Sequence, residues 1–384
     1  MAAPKLRFKE FDKAFSRNTI KELAKIYVGR DLVEDAYSPV KTETHIYPIY
    51  SNSVDNEGLY GYYNFEEFNF DDGALTVVGR GAGLGKAFYR QGGFGTIGRL
   101  LSLTPKDKRF HPKYLSDYIN DKLIIHNESG GIPQLPRSSL ENYEVVLPSY
   151  EEQTKIASFL SSVDEKINQL TQKHQLLSQY KQGMMKKLFS QQIRFKADDG
   201  SEFGEWEEKT IGEIGEVVTG KTPSTTNSNA WNGNVLFVTP TDMKGNKYQN
   251  TTIRTVANKQ PKVLPQNTIM FTCIASIGKM ALSVKPSITN QQINSIIVKN
   301  DHPEFIYYQL LNMVDYIKST QANTTLPIIN KTEFSKFFLR IPQQAEQTKI
   351  ANFLSTIDQK IEVVTQQIEQ AKQWKKGLLQ QMFV

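Results

Sequence analysis

Apolar positions along the chain follow two rhythms, and each rhythm occurs twice. From Ile156 onward they recur on alternating steps of three and four: Ile156, Leu160, Val163, Ile167, Leu170, Leu177, Met184 and Leu188, with His174 and Lys181 filling two seam positions. Ile350, Leu354, Ile357, Ile361, Val364, Ile368, Ala371, Leu378 and Met382 repeat the pattern. Such steps hold side chains on one face of a helix with 3.6 residues per turn. A seam sustained over several heptads predicts two coiled-coil helices. Pro148 and Pro342 each stand just before a seam, where proline is tolerated. The simplest burial of two such stripes in one chain is against each other. Each helix follows its own globular segment, so an antiparallel pair would hold those segments apart. From Tyr150 to Phe189 the helix would extend about 60 Å at its usual rise per residue.

The other rhythm is short apolar runs separated by glycine and asparagine clusters. Leu75-Thr-Val-Val78, Leu100-Leu-Ser-Leu103, Val235-Leu-Phe-Val238, Thr268-Ile-Met-Phe-Thr272 and Asn294-Ser-Ile-Ile-Val298 read as strands. A helix is expected after His111-Pro112 and after His302-Pro303. These segments therefore read as α+β domains with long loops.

The two rhythms belong to one internal repeat of about half the chain. Pro148-Ser-Tyr-Glu-Glu-Gln-Thr-Lys-Ile-Ala-Ser-Phe-Leu160 matches Pro342-Gln-Gln-Ala-Glu-Gln-Thr-Lys-Ile-Ala-Asn-Phe-Leu354, and the register holds from Pro133/Pro327 to Phe189/Phe383. Leu6-Arg-Phe-Lys9 returns as Ile193-Arg-Phe-Lys196, and Thr19-Ile-Lys-Glu-Leu…Gly29-Arg30 returns as Thr210-Ile-Gly-Glu-Ile…Gly220-Lys221. Between these anchors, over residues 31–103 and 222–298, the halves barely match. The expected architecture is α+β: two similar α+β domains separated by two long antiparallel coiled-coil helices, with a pseudo-two-fold internal repeat. The expected boundaries are 1–148 and 192–342 for the domains, and 149–191 and 343–384 for the helices.

Composition narrows the chemistry. The 384 residues carry 46 Lys and Arg against 40 Asp and Glu, a net charge of +6 that suits a polyanionic partner without requiring one. The single cysteine, Cys273, excludes an intrachain disulfide and fits a reducing cytoplasm, and it reads as a small core residue. No apolar stretch approaches the ~20 residues of a membrane span. His45, His111, His126, His174 and His302 show no metal-ligand spacing, so no metal site is expected.

Two motifs imitate nucleotide loops. Gly215-Glu-Val-Val-Thr-Gly220-Lys221-Thr222 matches the phosphate-loop spacing, but a turn-like Pro223-Ser-Thr-Thr-Asn-Ser-Asn follows where a helix is needed. The repeat places Ala24, Gly29, Arg30 and Asp31 at the same positions, which cannot form the motif. Gly79-Arg-Gly-Ala-Gly-Leu-Gly85 lacks the helix and the acidic residue that a dinucleotide site uses. It reads as a tight turn or a loop that approaches DNA. The chain also has no Asn-Pro-Pro-aromatic or Asp-Pro-Pro-aromatic tetrapeptide of the kind adenine methyltransferases share.

The loops carry side chains suited to base edges: Arg80, Lys86, Arg90, Gln91 and Arg99 in the first domain, and Lys221, Thr222, Asp242, Lys244, Lys279, Asn290, Gln291, Gln292 and Asn294 in the second. Arg and Lys match the acceptors of guanine, and Asn and Gln match the donor–acceptor pair of adenine.

Several features together resemble the specificity subunits of Type I restriction–modification enzymes. They are the twice-used Pro148…Glu152-Gln153…Ile156-Ala157 and Pro342…Glu346-Gln347…Ile350-Ala351, the domain start Thr210-Ile-Gly-Glu-Ile…Gly220-Lys-Thr-Pro223 with Phe237-Val-Thr-Pro-Thr-Asp242, and the alternation of variable domain and repeated helix. The first domain departs from the family by reading Gly29-Arg30-Asp31 in place of Gly-Lys-Thr-Pro. The resemblance implies a non-catalytic DNA-binding subunit in which each variable domain reads one half of a split, asymmetric site on double-stranded DNA. It also implies two methyltransferase subunits and two motor–nuclease subunits as partners. S-adenosylmethionine, ATP and Mg would belong to those partners, and none to this chain. The competing reading is a two-headed DNA-binding or scaffold protein with a coiled-coil stalk, unrelated to restriction.

Overall fold

The computed structural model describes residues 4–127, 130–257, 262–321 and 327–384. Its internal contacts define two units, one of Met1–Gln172 with Gln366–Val384 and one of Lys173–Thr365. The division falls inside both long helices, so each unit is completed by part of each helix.

The first unit runs β1 (Ser16–Thr19), α1 (Ile20–Leu23), β2 (Ala24–Val28), β3 (Tyr37–Ser38), β4 (Tyr47–Tyr50), β5 (Leu59–Tyr63), β6 (Ala74–Val77), β7 (Ala87–Arg90), β8 (Gly95–Thr96), β9 (Leu101–Pro105), α2 (Pro112–Lys122), α3 (Arg137–Glu141), β10 (Glu144–Leu147) and the start of α4 (Tyr150–Phe189). One sheet has the order β2-β9-β6-β7, a second β3-β5-β4-β8, and β1 pairs with β10. The second unit runs β11 (Glu207–Thr210), α5 (Ile211–Ile214), β12 (Gly215–Thr219), β13 (Trp231–Val238), β14 (Tyr248–Gln249), β15 (Arg254–Val256), β16 (Ile269–Thr272), β17 (Met280–Ser283), β18 (Ser287–Thr289), β19 (Ile293–Val298), α6 (Pro303–Ser319), α7 (Lys331–Ser335), β20 (Phe338–Ile341) and most of α8 (Gln344–Met382). Its sheets are β12-β19-β16-β17-β14 and β15-β13-β18, with β11 paired to β20.

The expected strands and both helices after His-Pro are present. Ile211–Ile214 is a helical turn, and the strand Gly215–Thr219 follows it. Thr210 caps this turn by accepting from the Glu213 amide while the Glu213 side chain accepts from the Thr210 amide, and Thr19 and Glu22 do the same in the first unit.

The segments that diverge in sequence share one topology. Strand β4 is antiparallel to β5 and parallel to β8, and β13 is likewise antiparallel to β15 and parallel to β18. Alternation sorts the residues between faces. On β9, Leu101 and Leu103 enter a core with Tyr114 and Leu115 of α2, Leu160 of α4 and Met382 of α8. In the second unit Phe271 and Ile296 meet Phe305 and Tyr308 of α6 and Leu354 of α8.

Within the first unit, Asp164 of α4 pairs with Lys375 of α8 at 2.5 Å, and Phe159 meets Trp374 edge-on at 6.0 Å. Within the second, Lys181 pairs with Asp358 at 2.5 Å and lies 5.2 Å from the Tyr308 ring centre. The earlier part of one helix thus meets the later part of the other in each unit, which is antiparallel pairing. The Lys181–Asp358 contact also explains the lysine in that seam.

The joints between helix and domain are written alike. Arg7 holds buried Glu152 at 2.8 Å, and Arg194 holds buried Glu346 at 2.7 Å. Gln153 Oε1 accepts from the His111 amide and Gln347 Oε1 from the His302 amide, while each Gln side chain donates to the carbonyl of the preceding proline, Pro148 or Pro342.

Candidate nucleic-acid interface

Strand register gathers the candidate loops at one rim of each unit. In the first, Val28, Leu101, Val77 and Ala87 stand side by side across the sheet, and Tyr50 stands beside Thr96. The loops at residues 29–31, 51–53, 78–86 and 97–100 therefore emerge at the same end. In the second, Thr219, Asn294, Phe271 and Met280 align, and Val238 stands beside Thr289. This collects residues 220–224, 239–244, 273–279 and 290–292.

Cross-loop bonds hold each rim. Asn52 accepts from the Gly79 amide and donates to the Gly98 carbonyl, while Arg99 N donates to Gly29 O at 3.0 Å. In the second unit Thr222 Oγ1 donates to Gln291 Oε1 at 2.9 Å, Asn290 N donates to Val238 O, and Lys279 Nζ reaches Pro240 O at 3.3 Å.

Arg80, Lys86 and Arg99 are exposed on the first rim, and Lys221, Lys244, Lys279 and Gln291 are exposed on the second, with Thr222 and Gln292 half-buried. Asn290 is buried and folds its amide onto Gln292 Oε1 at 2.9 Å, shaping the turn. Gln91 is exposed but lies at the far end of β7 from the rim.

Three candidates serve the interior instead. The Arg90 guanidinium is buried 3.5 Å over the Tyr50 ring and bonds to Thr76 Oγ1 and the Glu57 carbonyl. Asp242 accepts from the Thr239 amide and hydroxyl and from the Ile253 amide. Asn294 bridges Thr219, Cys273 and the Ile329 carbonyl beneath the surface. Reading polarity along the chain could not separate Arg90 and Asn294 from their exposed neighbours, because the bonds that claim them come from distant segments, whereas Asp242 is held largely by nearby Thr239. Burial also pushes the Cys273 thiol up to about 11, away from nucleophilic use.

The structure adds Arg30 to the candidates. It is exposed on the first rim directly after Gly29, where Lys221 follows Gly220 on the second. The signal was the Gly29-Arg30/Gly220-Lys221 match itself. Neither glycine motif forms a phosphate loop: Gly215–Thr219 is a strand, with no helix directly after Thr222, and residues 79–85 turn the β6–β7 hairpin.

Ion pairs occupy many of the framework cations. Framework cations such as Arg7, Arg17, Lys113, Lys155, Arg194, Lys247, Arg340 and Lys349 all contact carboxylates. Among the described residues, no carboxylate forms an ion pair with Arg30, Arg80, Lys86, Arg99, Lys221, Lys244 or Lys279. Among the described residues there is also no metal-binding cluster of His, Cys, Asp and Glu, and no helix long and apolar enough to cross a membrane.

Comparison with known proteins agrees with this geometry. The chain is 32% identical over 185 residues to the Type I restriction enzyme MjaIX specificity subunit of Methanocaldococcus jannaschii, covering 45% of this chain and 43% of that protein. It is 27% identical over 295 residues to the HindI specificity subunit of Haemophilus influenzae, covering 58% and 64%. These matches span less than two-thirds of those relatives. The MjaVIII specificity subunit of M. jannaschii is matched at 24% identity over 87% of this chain and 84% of its own length. Among solved structures, the S subunit of a Type I restriction–modification system from M. genitalium superposes with a TM-score of 0.69 at 17% identity, covering 100% of this chain and 99% of that one. The Type I restriction modification DNA specificity domain matches twice, over residues 14–178 and 204–373, and the chain belongs to that family.

Proposed function

We propose that this chain is the sequence-reading subunit of a Type I restriction–modification complex, each unit recognising one half of a split site on double-stranded DNA. The observation that carries this reading is a rim in each unit where cations stand without carboxylate partners beside amide side chains. Unpaired cations attract a polyanion, and exposed amide and guanidinium groups match base edges in the major groove. The rims differ between units, so the two half-sites should differ in sequence.

The chain itself would be non-catalytic. It would position partners: methyltransferase subunits using S-adenosylmethionine and motor–nuclease subunits using ATP and Mg, all in the cytoplasm. Adenine methylation would occur on a base flipped into the methyltransferase.

The test is to co-express the chain with its methyltransferase subunit and map methylated adenines across the host genome. A split motif with unlike halves is expected, and Arg99→Ala should relax one half alone. Methylation without a motif, or one unaffected by removing this chain, would refute the reading.

A further inference from the structure

The two rims, compared with each other, separate contacts to the DNA backbone from contacts to bases, an inference that rests on the DNA-reading function proposed above. At two half-sites of one duplex the bases differ but the sugar–phosphate chain is chemically the same. In a duplicated reader, side chains on the backbone can stay alike while those on bases diverge. The rims contain both kinds of position, and the folded backbone, not the sequence, aligns them.

Two cations recur at matched places. Gly29 and Gly220 form equivalent straps: Gly29 N donates to Leu100 O, and Gly220 N donates to Ile293 O. A Cβ on Gly29 would come within 2.9 Å of the Ile97 carbonyl oxygen, and one on Gly220 would overlap the carbonyl of Asn290. Each strap therefore lies flat on its sheet and delivers the next residue, Arg30 or Lys221, to the rim. The second pair sits on the β6–β7 and β16–β17 hairpins. Val78 N donates to Lys86 O and Thr272 N to Lys279 O, both at 2.9 Å. Glycine precedes each lysine in the left-handed region, Gly85 at φ 82° and Gly278 at φ 96°. Lys86 and Lys279 are thus presented by one device in a stretch where the sequences barely match.

Other positions of the same rims are unlike. Ile97 N donates to Tyr50 O and Asn290 N to Val238 O, which aligns residues 97–100 with 290–293. Arg99 then corresponds to Gln292, and Gly98 to Gln291. Leu135 N donates to Gly79 O and Ile329 N to Cys273 O, so Arg80 corresponds to Ile274. Beside Lys221 opens a cleft of about 770 Å³ whose described lining includes Thr222, Ser224, Asn227, Asn229 and the buried Thr289, with Lys262 at its edge held by Glu216 at 2.6 Å. Short hydroxyl and amide groups around a cation are usual phosphate contacts.

The geometry points to Arg30 with Lys86, and Lys221 with Lys279, as matched phosphate contacts that hold each unit on DNA without reading sequence, leaving Arg80, Arg99, Gln291 and Gln292 to discriminate bases. Lysine and arginine on phosphates release counterions, so each contributes to the salt dependence of binding.

The experiment uses the full chain with its methyltransferase subunit. Binding is measured by fluorescence anisotropy across a salt series, on a duplex carrying the mapped site and on one with both halves scrambled. Arg30→Ala, Lys86→Ala, Lys221→Ala and Lys279→Ala should each lower the slope of log K against log salt by about 0.9. Each should weaken both duplexes by the same factor, with unchanged thermal unfolding. Arg99→Ala and Gln292→Ala should instead narrow the ratio between the duplexes. A Lys86 or Lys279 variant that changes base preference at its half-site, or leaves the slope unaltered, overturns the assignment. A wild-type complex that binds both duplexes equally would overturn the proposed function itself.

Discussion

The joint between helix and domain and the loop rim sit in the same units yet follow opposite rules. At the joint, residues far apart in the chain repeat atom for atom: Arg7 on Glu152 matches Arg194 on Glu346, and Gln153 on the His111 amide matches Gln347 on the His302 amide. At the rim, only the backbone path and a few cations repeat. Burial accounts for the contrast. Glu152 and Glu346 are 1% and 0% exposed, so a change there strands a charge away from water. A rim side chain in solvent can change at little cost to the fold.

Breaking the joint should have the largest effect. Arg7→Ala leaves Glu152 buried without its cation and should destabilise the first unit by about 3 kcal/mol in urea unfolding. Arg194→Ala should cost less, because Trp206 Nε1 still donates to Glu346 at 3.2 Å. Equal losses would show that the joints are not tuned separately. The glycine straps come next. Gly220→Ala forces backbone against backbone and should cost roughly 1–3 kcal/mol, more than Gly29→Ala, whose closest approach is 2.9 Å.

Exchanging a divergent position probes the rim more directly. Gln292→Arg, giving the second unit the side chain of the first at that place, also removes the Oε1 that accepts from Asn290 Nδ2, so unfolding should shift by about 1 kcal/mol. It should alter preference at one half-site by about 1–3 kcal/mol in competition binding. The smallest effect concerns His111 and His302, which cap equivalent helices with each Nδ1 buried and unpartnered among the described residues. Burial lowers both pKa values below 6.5, so the unfolded chain binds more protons than the folded one below that pH. Stability should fall on acidification through and below pH 6.5, and a His111→Asn/His302→Asn variant should lose part of that fall in its melting temperature.

The helices, the repeat and the strands were legible because their signals are local: a seam on steps of three and four, short apolar runs, and Pro148 and Pro342 at matched places. The rim was legible only in part. Arg80, Lys86, Arg99 and Lys221 could be named from polarity and loop context. Arg90 and Asn294 looked the same on paper, yet Tyr50 and Thr76 enclose one, and Thr219 and Cys273 enclose the other. The match of Lys86 with Lys279 escaped the alignment because hydrogen-bond geometry preserves it while the neighbouring side chains differ.

The first unit takes Leu378 and Met382 of α8, and Phe383 just after it, into its core beside Tyr114 and Leu160. A ribosome builds the chain from the amino end, so strands β1 to β10 emerge long before these residues do. Until α8 arrives, the apolar floor formed by α2 and the early turns of α4 is uncovered, and the second unit can close first. The domain begun earliest is therefore finished last, and its floor is the final apolar surface to close during synthesis.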